Sequence, residues 1–289
     1  MGEVSRGWPA PAKINRFLHI TGRRADGYHE LQTLFQFVEP VDELVFAVTP
    51  DGGIRRAGGL PGLPPDSDLA VRAAAALRHE AGTGQGVRIQ LDKRIPSGGG
   101  LGGGSSDAAT TLVALNELWG CGLPSAELER IGLGLGADVP VFVRGQACWA
   151  EGVGEQLSPL SADCPWMVIV DPGIAVDTGV VFADTKLTRH GERITIRGFE
   201  TGAARNDCEP VVRRIHPAVG EALDALAVFG PSRLTGTGGC LFATFEHRAS
   251  AEYAAAGVRD RWSAWVTRAR NRSPLLDRLD AERARTTGA

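Results

Sequence analysis

A glycine-rich stretch between two regular segments constrains this chain more than any other feature of its sequence. IPSGGGLGGGSSDAATTLVALNELW runs from Ile95 to Trp119 and has six glycines in the seven residues before Ser105. The preceding GVRIQLDKRIP alternates as a β-strand that we expect to end at Pro96, and the following residues have helical composition. The chain must therefore pass from a strand to a helix through a loop with almost no side chains.

Such a loop is typical of an anion site. Glycine allows a positive φ and lets backbone N–H groups approach a ligand that a Cβ would hold away. At the start of a helix those groups have no intrahelical partner, and phosphate is a common ligand there. We expect Ser105, Ser106 and Asp107 to offer the N-cap and Gly120 the C-cap. A flexible linker is the alternative, which the short length and the capping residues disfavour.

The composition is that of an ordinary globular protein. The 289 residues suffice for one large domain or two ordinary ones, with 43% apolar and 22% charged residues, and only the polar tail from Asp280 departs from this pattern. The formal charge of −3 gives no general attraction to nucleic acid or anionic membranes. No stretch is long enough to span a bilayer, and the first residues contain no apolar signal core, so we expect a cytoplasmic protein.

The cysteines and histidines give no sign of a disulfide framework or a zinc site. The five cysteines are widely spaced and form no C-x-x-C pair, so we interpret them as core thiols. The six histidines have no ligand spacing such as H-E-x-x-H. We expect any metal to arrive with a ligand.

The rest of the sequence alternates between strand and helix signals. KINRFLHIT indicates a strand, LQTLFQFVEPVDELVFAVTP indicates two extended segments broken at Pro40, and ADVPVFVRGQACWAEG indicates extended structure after Asp138. WMVIVDPG is a compact apolar strand that could open a second half of the chain. We therefore predict a boundary near Leu157 to Pro165, with domains at 1–158 and 159–289.

Two familiar phosphate motifs fit the glycine loop poorly. A P-loop requires a lysine directly after the glycines, and none follows here. A G-x-G-x-x-G match at Gly98, Gly100 and Gly103 would suggest a nicotinamide-dependent oxidoreductase, but it lies far from the first strand and Glu117 falls within the helix. That alternative is weak and is tested by NAD(H) binding.

PSGGGLGGGSSDAA resembles the P-x-x-x-G-L-G-S-S-A-A phosphate loop of the GHMP kinases, with extra glycines in its middle. PAKIN near the N-terminus and SRLTGTGGCLFATF in the second half match other motifs of the family, and the resemblance runs from about Pro9 to Leu276. It implies an α/β (α+β) fold with an S5-like N-terminal domain and a ferredoxin-like C-terminal domain. The active site would lie in the cleft between them and would use ATP with Mg²⁺.

The resemblance also implies residue roles for phosphoryl transfer. Asp138 would be the general base and Lys13 its cationic partner. Without the resemblance, we would interpret Asp138 as a capping residue ahead of Pro140. We would interpret Lys13 as a solvated surface residue. The nucleotide would be bound by Lys93, Pro96, Gly98, Gly99, Gly100, Leu101, Gly102, Gly103, Gly104, Ser105 and Ser106. A sheet-edge lysine is an equal interpretation of Lys93.

Within the family, the motifs are most similar to those of kinases of the non-mevalonate isoprenoid pathway. This implies a small-molecule acceptor with a cytidine diphosphate moiety, phosphorylated on a tertiary hydroxyl. Tyr28 and Phe182 would stack on cytosine and His29 would read its edge, although core aromatics and a turn cap remain open for them. The implied acceptor residues are Asn15, Tyr28, His29, Phe35, Thr178, Phe182 and Gly238.

Two positions depart from the family pattern, and other functions stay open. Asp68 stands where asparagine is expected, near the adenine side, and Asp107 could either cap the helix or bind Mg²⁺. Another GHMP kinase activity is one alternative. A nucleic-acid-binding module, suggested by the S5-like fold and the arginines of RDRWSAWVTRARNR, is another. We expect no nucleic-acid or membrane partner, and either a monomer or a homodimer.

Overall fold

The structure is a computed structural model that describes residues 4–57, 64 and 67–287. Two long antiparallel strands, β1 (Val4–Arg23) and β2 (His29–Thr49), form its spine. The predicted break at Pro40 is wrong, because β2 runs through it. The ladder shifts register between Pro11 and Ala12, where two residues of β2 are left over, so Pro40 lies in a bulge and its missing N–H interrupts no ladder pair.

A six-stranded sheet is built on this spine. Its strands follow the order β3-β4-β2-β5-β6, with β1 paired to β2, and all pairs except β3–β4 are antiparallel. The additional strands are β3 (Ile54–Ala57), β4 (Gly86–Asp92), β5 (Cys148–Glu151) and β6 (Gln156–Pro159). Strand β4 ends at Asp92, four residues before the predicted Pro96. Much of the Gly/Pro-rich segment after β3 lies outside the described residues.

This half also contains the helices α1 (Leu69–Ala81), α2 (Gly103–Leu118), α3 (Ser125–Leu133) and α4 (Val139–Arg144). The extended structure predicted after Asp138 is wrong over α4 and correct over β5. The valines of VPVFV favoured a strand, but Pro140 fits the first turn of a helix, where its missing N–H has no role. Gly145 then ends α4 in a left-handed conformation.

The second half contains a four-stranded antiparallel sheet of order β10-β7-β9-β8. Its strands are β7 (Trp166–Asp171), β8 (Ser232–Leu234), β9 (Leu241–Phe245) and β10 (Ser263–Arg268). Its helices are α5 (Thr178–Ala183), α6 (Ile196–Glu200), α7 (Glu209–Ile215), α8 (Pro217–Ala227) and α9 (Arg248–Val258).

Three of the four apolar clusters among the described residues hold the sheets and the glycine loop together. One lies under the first sheet and a second lies among α5, α7, α8, α9 and the second sheet. The third joins the halves: Ile14 of β1 and Ile169 of β7 pack with Ile95 and Leu101 of the glycine loop. One apolar side chain before the first glycines and one after them thus anchor the loop in this cluster. The polar tail is helical: α10 (Pro274–Thr287) returns to the first half and buries Leu275 there.

The five cysteines are free, with Cys148, Cys208 and Cys240 buried and the other two half-buried. Across the described ranges, no helix is both long enough and apolar enough to cross a membrane.

Candidate active site

A cleft of about 490 Å³ lies between the two halves of the molecule, at the glycine loop. It collects most of the residues that the sequence singled out, from β1, β2, the loop, the start of α2, α5 and the segment after β8. Those that line it are Lys13, Asn15, Phe35, Lys93, Pro96, Gly98, Gly99, Gly100, Leu101, Gly102, Gly103, Gly104, Ser105, Asp138, Thr178 and Phe182. The four that do not line it are Tyr28, His29, Ser106 and Gly238.

The loop presents its amide groups because its carbonyl groups are engaged elsewhere. Gly98 O accepts from Val176 N at 3.4 Å, and Gly99 O accepts from Cys240 N at 3.0 Å. Gly100 O accepts from Lys13 Nζ at 3.0 Å, and Leu101 O accepts from Lys13 N, also at 3.0 Å. With four consecutive carbonyls tied to β1 and the second half, the loop is held in one shape.

Close approach, and not only ligand binding, requires glycine in this loop. Gly100 has φ +75°, and a Cβ on it would lie 2.4 Å from Thr235 O. A Cβ on Gly99 would lie 2.6 Å from Cys240 Sγ. These positions therefore serve the contact between the two halves as much as the approach of a phosphate.

Helix α2 begins earlier than the capping residues suggested. Gly102 is its N-cap, with φ 74° and no side-chain cap, so the N-cap role expected for Ser105, Ser106 and Asp107 is wrong. Gly102 adopts this conformation at no steric cost, which lets the helix start at Gly103. The first free N–H groups of a 16-residue helix consequently face the cleft, with the positive end of its dipole. At the other end, Trp119 is the C-cap and Gly120 follows in a left-handed conformation.

Lys13 is buried and meets three acceptors at the centre of the cleft. Its Nζ lies 2.7 Å from Asn15 Oδ1, 3.0 Å from Gly100 O and 3.2 Å from Asp138 Oδ2. It also lies over the ring of Phe35, 5.4 Å from the centroid. The solvated-surface interpretation of this lysine is wrong.

Asp138 stands at the N-cap of α4 but makes no capping hydrogen bond, so the capping interpretation fails. Its side chain is 34% exposed to the cleft and forms the ion pair with Lys13. Among the residues that the structure describes, none donates to its other carboxylate oxygen. Asp138 thus offers one held oxygen and one open oxygen.

Lys93 forms ion pairs with two buried aspartates, so it is not a solvated sheet-edge lysine. Its Nζ contacts Asp42 Oδ2 and lies 2.8 Å from Asp107 Oδ2. Burial, which penalises the charged carboxylate, raises the pKa of Asp107 to about 7; the ammonium group of Lys93 opposes this shift and the carboxylate of Asp42 adds to it. Although burial alone would lower the pKa of Lys93, the Asp107 and Asp42 carboxylates raise it.

Sequence reasoning missed Asp42, which organises the start of the loop. Its Oδ1 accepts from the backbone N of Arg94 and of Ile95, while Oδ2 contacts Lys93. The signal was available, since Asp42 shares the inward face of β2 with Leu44 and Phe46. A fully buried aspartate at an apolar position of a strand requires partners of this kind.

The other end of the cleft lies near α5. Thr178 Oγ1 lies 2.7 Å from Thr237 Oγ1, which joins α5 to the segment after β8. His29 stacks on Phe182 with centroids 5.0 Å apart, and its Nε2 accepts from Arg189 Nε at 3.2 Å. Burial and the charges of Arg189 and Arg23 lower the pKa of His29. Tyr28 is 65% exposed at the β1–β2 turn, so the core-aromatic interpretation of this residue is wrong.

Asp68 caps α1 and does not line the cleft, although its neighbour Leu69 does. Its Oδ1 accepts from Ala70 N at 2.8 Å, and its Oδ2 forms a buried ion pair with Arg56. The carboxylate in place of the expected amide is therefore neutralised within the protein.

Comparison with known proteins identifies the family. The family model described as GHMP kinases N terminal domain matches residues 68–146, and that described as GHMP kinases C terminal matches residues 191–264. A 4-diphosphocytidyl-2-C-methyl-D-erythritol kinase of Alkalilimnicola ehrlichii is 55% identical over 278 residues, which are 96% of each chain. That of Halorhodospira halophila is 54% identical and covers 96% of this chain and 98% of the relative.

Solved structures agree with this. A crystal structure of 4-(cytidine 5'-diphospho)-2C-methyl-D-erythritol kinase is 34% identical, with a TM-score of 0.79 over 92% of this chain and 99% of that chain. The mevalonate kinase of Methanococcus jannaschii, at 14% identity and a TM-score of 0.66 over 94% of this chain and 99% of that chain, shares the fold. The two-domain fold implied by the sequence motifs is confirmed, and the chain belongs to the GHMP kinase family of small-molecule kinases.

Proposed function

We propose that this enzyme transfers the γ-phosphoryl group of ATP to the 2-hydroxyl of 4-diphosphocytidyl-2-C-methyl-D-erythritol, in the non-mevalonate isoprenoid pathway. The observation that carries the proposal is the ion pair of Lys13 with Asp138, which lies beside the glycine loop in one cleft. The identity above 50% to relatives named for this acceptor supports the substrate.

Asp138 is the general base. The transferred phosphoryl group needs an acceptor hydroxyl that loses its proton as the new bond forms. One oxygen of Asp138 is held by Lys13, and the open oxygen faces the cleft, where it can accept that proton. Lys13 keeps the carboxylate oriented, and its positive charge lies close to where negative charge spreads in the transition state.

The nucleotide phosphates bind at the loop and the N-terminus of α2. Free amides of the loop and of the first turn donate to phosphate oxygens, and the helix dipole favours the negative charge. Lys93 lines the same end of the cleft and supplies a fixed ammonium group. The carbonyl contacts already hold the loop, so little order has to be created on binding.

The residues present fit a magnesium ion that arrives with the nucleotide. In the described part of the chain, no group of three or more His, Cys, Asp or Glu side chains could hold a metal. Near the loop, Asp107 Oδ1 has no hydrogen-bond partner among the described residues, and the Ser105 hydroxyl lies at the cleft. When bound to the nucleotide, the ion would neutralise charge on the phosphates.

The cytidine part of the acceptor binds at the α5 end of the cleft. Phe182 offers an aromatic face, Tyr28 is exposed and free to fold over a ring, and His29 carries the polar edge. Thr178 and Gly238 lie on the second half, while Asn15 and Phe35 line the route toward Asp138. Because His29 lies against one face of Phe182, binding of cytosine requires the other face or a shift of His29.

The proposal is tested by coupled measurement of ADP release with four acceptors: 4-diphosphocytidyl-2-C-methyl-D-erythritol, mevalonate, homoserine and galactose. We expect efficient turnover with the first alone. A higher kcat/KM with another acceptor would show that the proposed substrate is wrong, although the protein would still be a kinase. CMP and CDP should compete with the acceptor and not with ATP.

A further inference from the structure

A second cavity lies on the other side of β1 from the active cleft. It has a volume of about 360 Å³, within the range of small-molecule sites, and its lining comes from both halves. The residues on which the inference rests are Arg16 of β1, Arg233 of β8, Asp163, and the apolar Leu160, Ile196 and Phe199. None of them lines the active cleft.

Two arginines at this cavity are poorly compensated. Arg16 is buried, and its Nε has no hydrogen-bond partner. Arg233 is half-buried, and within the described ranges no carboxylate lies at ion-pair distance from it. Among the described residues, the one hydrogen bond that its guanidinium makes is long, from Nη1 to Arg16 O at 3.4 Å. Burial and the neighbouring Arg16 charge lower the pKa of Arg233, which reflects two like charges brought together.

The acidic groups that line the cavity lie at its rim, whereas Glu209, whose charge acts to raise the pKa of Arg233, does not line it. Asp163 approaches Arg16 at 3.3 Å, but its side chain is 63% exposed, and Glu200 is exposed as well. An ion pair with so exposed a carboxylate stabilises little and exchanges readily. The arginines are held more firmly: Arg16 Nη1 donates to Gln36 Oε1 at 2.6 Å, and the guanidinium lies 5.3 Å from the centroid of Phe199.

We propose that this second cavity binds a small ligand with a phosphate or diphosphate group between Arg16 and Arg233, and that the rest of the ligand packs on Leu160, Ile196 and Phe199. Guanidinium groups favour phosphate because their donors match its oxygens. A ligand with two or more negative charges satisfies both arginines, whereas Asp163 reaches only one.

The residues of the second cavity lie next to residues that shape the active cleft. Arg16 follows Asn15, which lines the cleft, and Arg233 lies two residues before Thr235. Asn15 N donates to Thr235 Oγ1 at 3.0 Å, joining the two strands at that level. A ligand that bridges Arg16 and Arg233 would therefore hold β1 against β8 beside the contact that shapes the cleft.

The test is calorimetric titration with inorganic pyrophosphate while the active cleft is saturated with ADP and CDP. We expect one further equivalent to bind in the wild type. Binding should be at least about tenfold weaker in Arg233→Gln, since a charge-assisted contact is lost. Arg261→Gln, which changes an exposed arginine of the same half, is the matched control and should bind as the wild type does.

Failure of the wild type to bind, or equal binding by Arg233→Gln, would overturn the proposal. Should Arg233→Gln unfold, Ser161→Glu places a carboxylate at the exposed rim of the cavity and should weaken binding in the same way. A second titration compares phenyl phosphate with inorganic phosphate. Tighter binding of the ester is expected from the apolar wall, and equal binding would contradict that part of the proposal.

Discussion

The two ends of the active cleft are built in different ways. At the phosphate end, backbone groups and buried charges are already held, with four loop carbonyls engaged and Lys93 fixed between Asp42 and Asp107. At the other end, Tyr28 is exposed and Phe182 stacks on His29. If the proposed function is correct, the nucleotide meets a formed site, whereas the acceptor must complete its own.

The largest effect is expected where the two ends meet, at Asp138. Asp138→Asn keeps the shape of the side chain but removes the group that accepts the proton. We expect kcat to fall about 10²- to 10⁴-fold, with the fold and the KM for ATP retained. Steady-state kinetics and thermal unfolding check this, and near wild-type turnover would remove Asp138 from its proposed role.

The second-largest effect is expected when strain in the phosphate loop weakens nucleotide binding. In Gly100→Ala the new Cβ would lie 2.4 Å from Thr235 O at a φ of +75°. We expect a lower Tm and a KM for ATP raised by up to about 100-fold, since such strain is worth roughly 1–3 kcal/mol. In the control Gly104→Ala the Cβ would meet Leu69 Cδ1 at an ordinary 3.4 Å. Equal behaviour of both variants would show that the loop is not preformed.

The acceptor end is tested by Tyr28→Ala. Stacking of a base on an aromatic ring is worth about 1–3 kcal/mol, so the acceptor KM should rise about 10- to 100-fold. ATP binding and Tm should stay unchanged, because the ring is exposed in the free protein. Tyr253→Ala, at an equally exposed tyrosine outside the cleft, is the control. An unchanged acceptor KM would contradict the cytosine site.

The smallest effect concerns the buried charges of the phosphate end. The pKa of Asp107 rises from 3.8 to about 7 on folding, so the folded state binds more protons than the unfolded state between these values. Stability linked to this group therefore falls as pH rises from about 4 to 7. Asp107→Asn lacks this dependence and should gain ~1 kcal/mol relative to the wild type between pH 6 and 7. Unfolding in denaturant at both pH values measures it, and a constant difference would contradict the raised pKa.

Prediction from sequence was reliable where the cause is local. The strand before the glycine loop and the helix after it are both present, as β4 and α2, because their composition and alternation are local signals. It failed where local preference and tertiary context differ. The valines around Pro140 favour a strand but form α4, and Pro40 interrupts nothing because a bulge accommodates it.

The sequence motifs named most of the residues that line the cleft, but they did not predict the contacts that these residues make. Ser106 was expected at the cleft and is fully buried, because the helix starts at Gly103 and turns it inward. The roles of Lys13, Asp138 and the cytosine residues stay predictions until the variants are measured.

The sequence by itself determined the strand, glycine loop and helix, because the conformational freedom of glycine and the helical composition of the following residues are local properties. Only the tertiary structure decided which partners these residues meet. Lys13 and Asp138 lie far apart in the chain, and Gly99 and Gly100 must be small because Cys240 and Thr235 approach them from the other half. Such contacts depend on how two sheets pack, which no local stretch of sequence encodes.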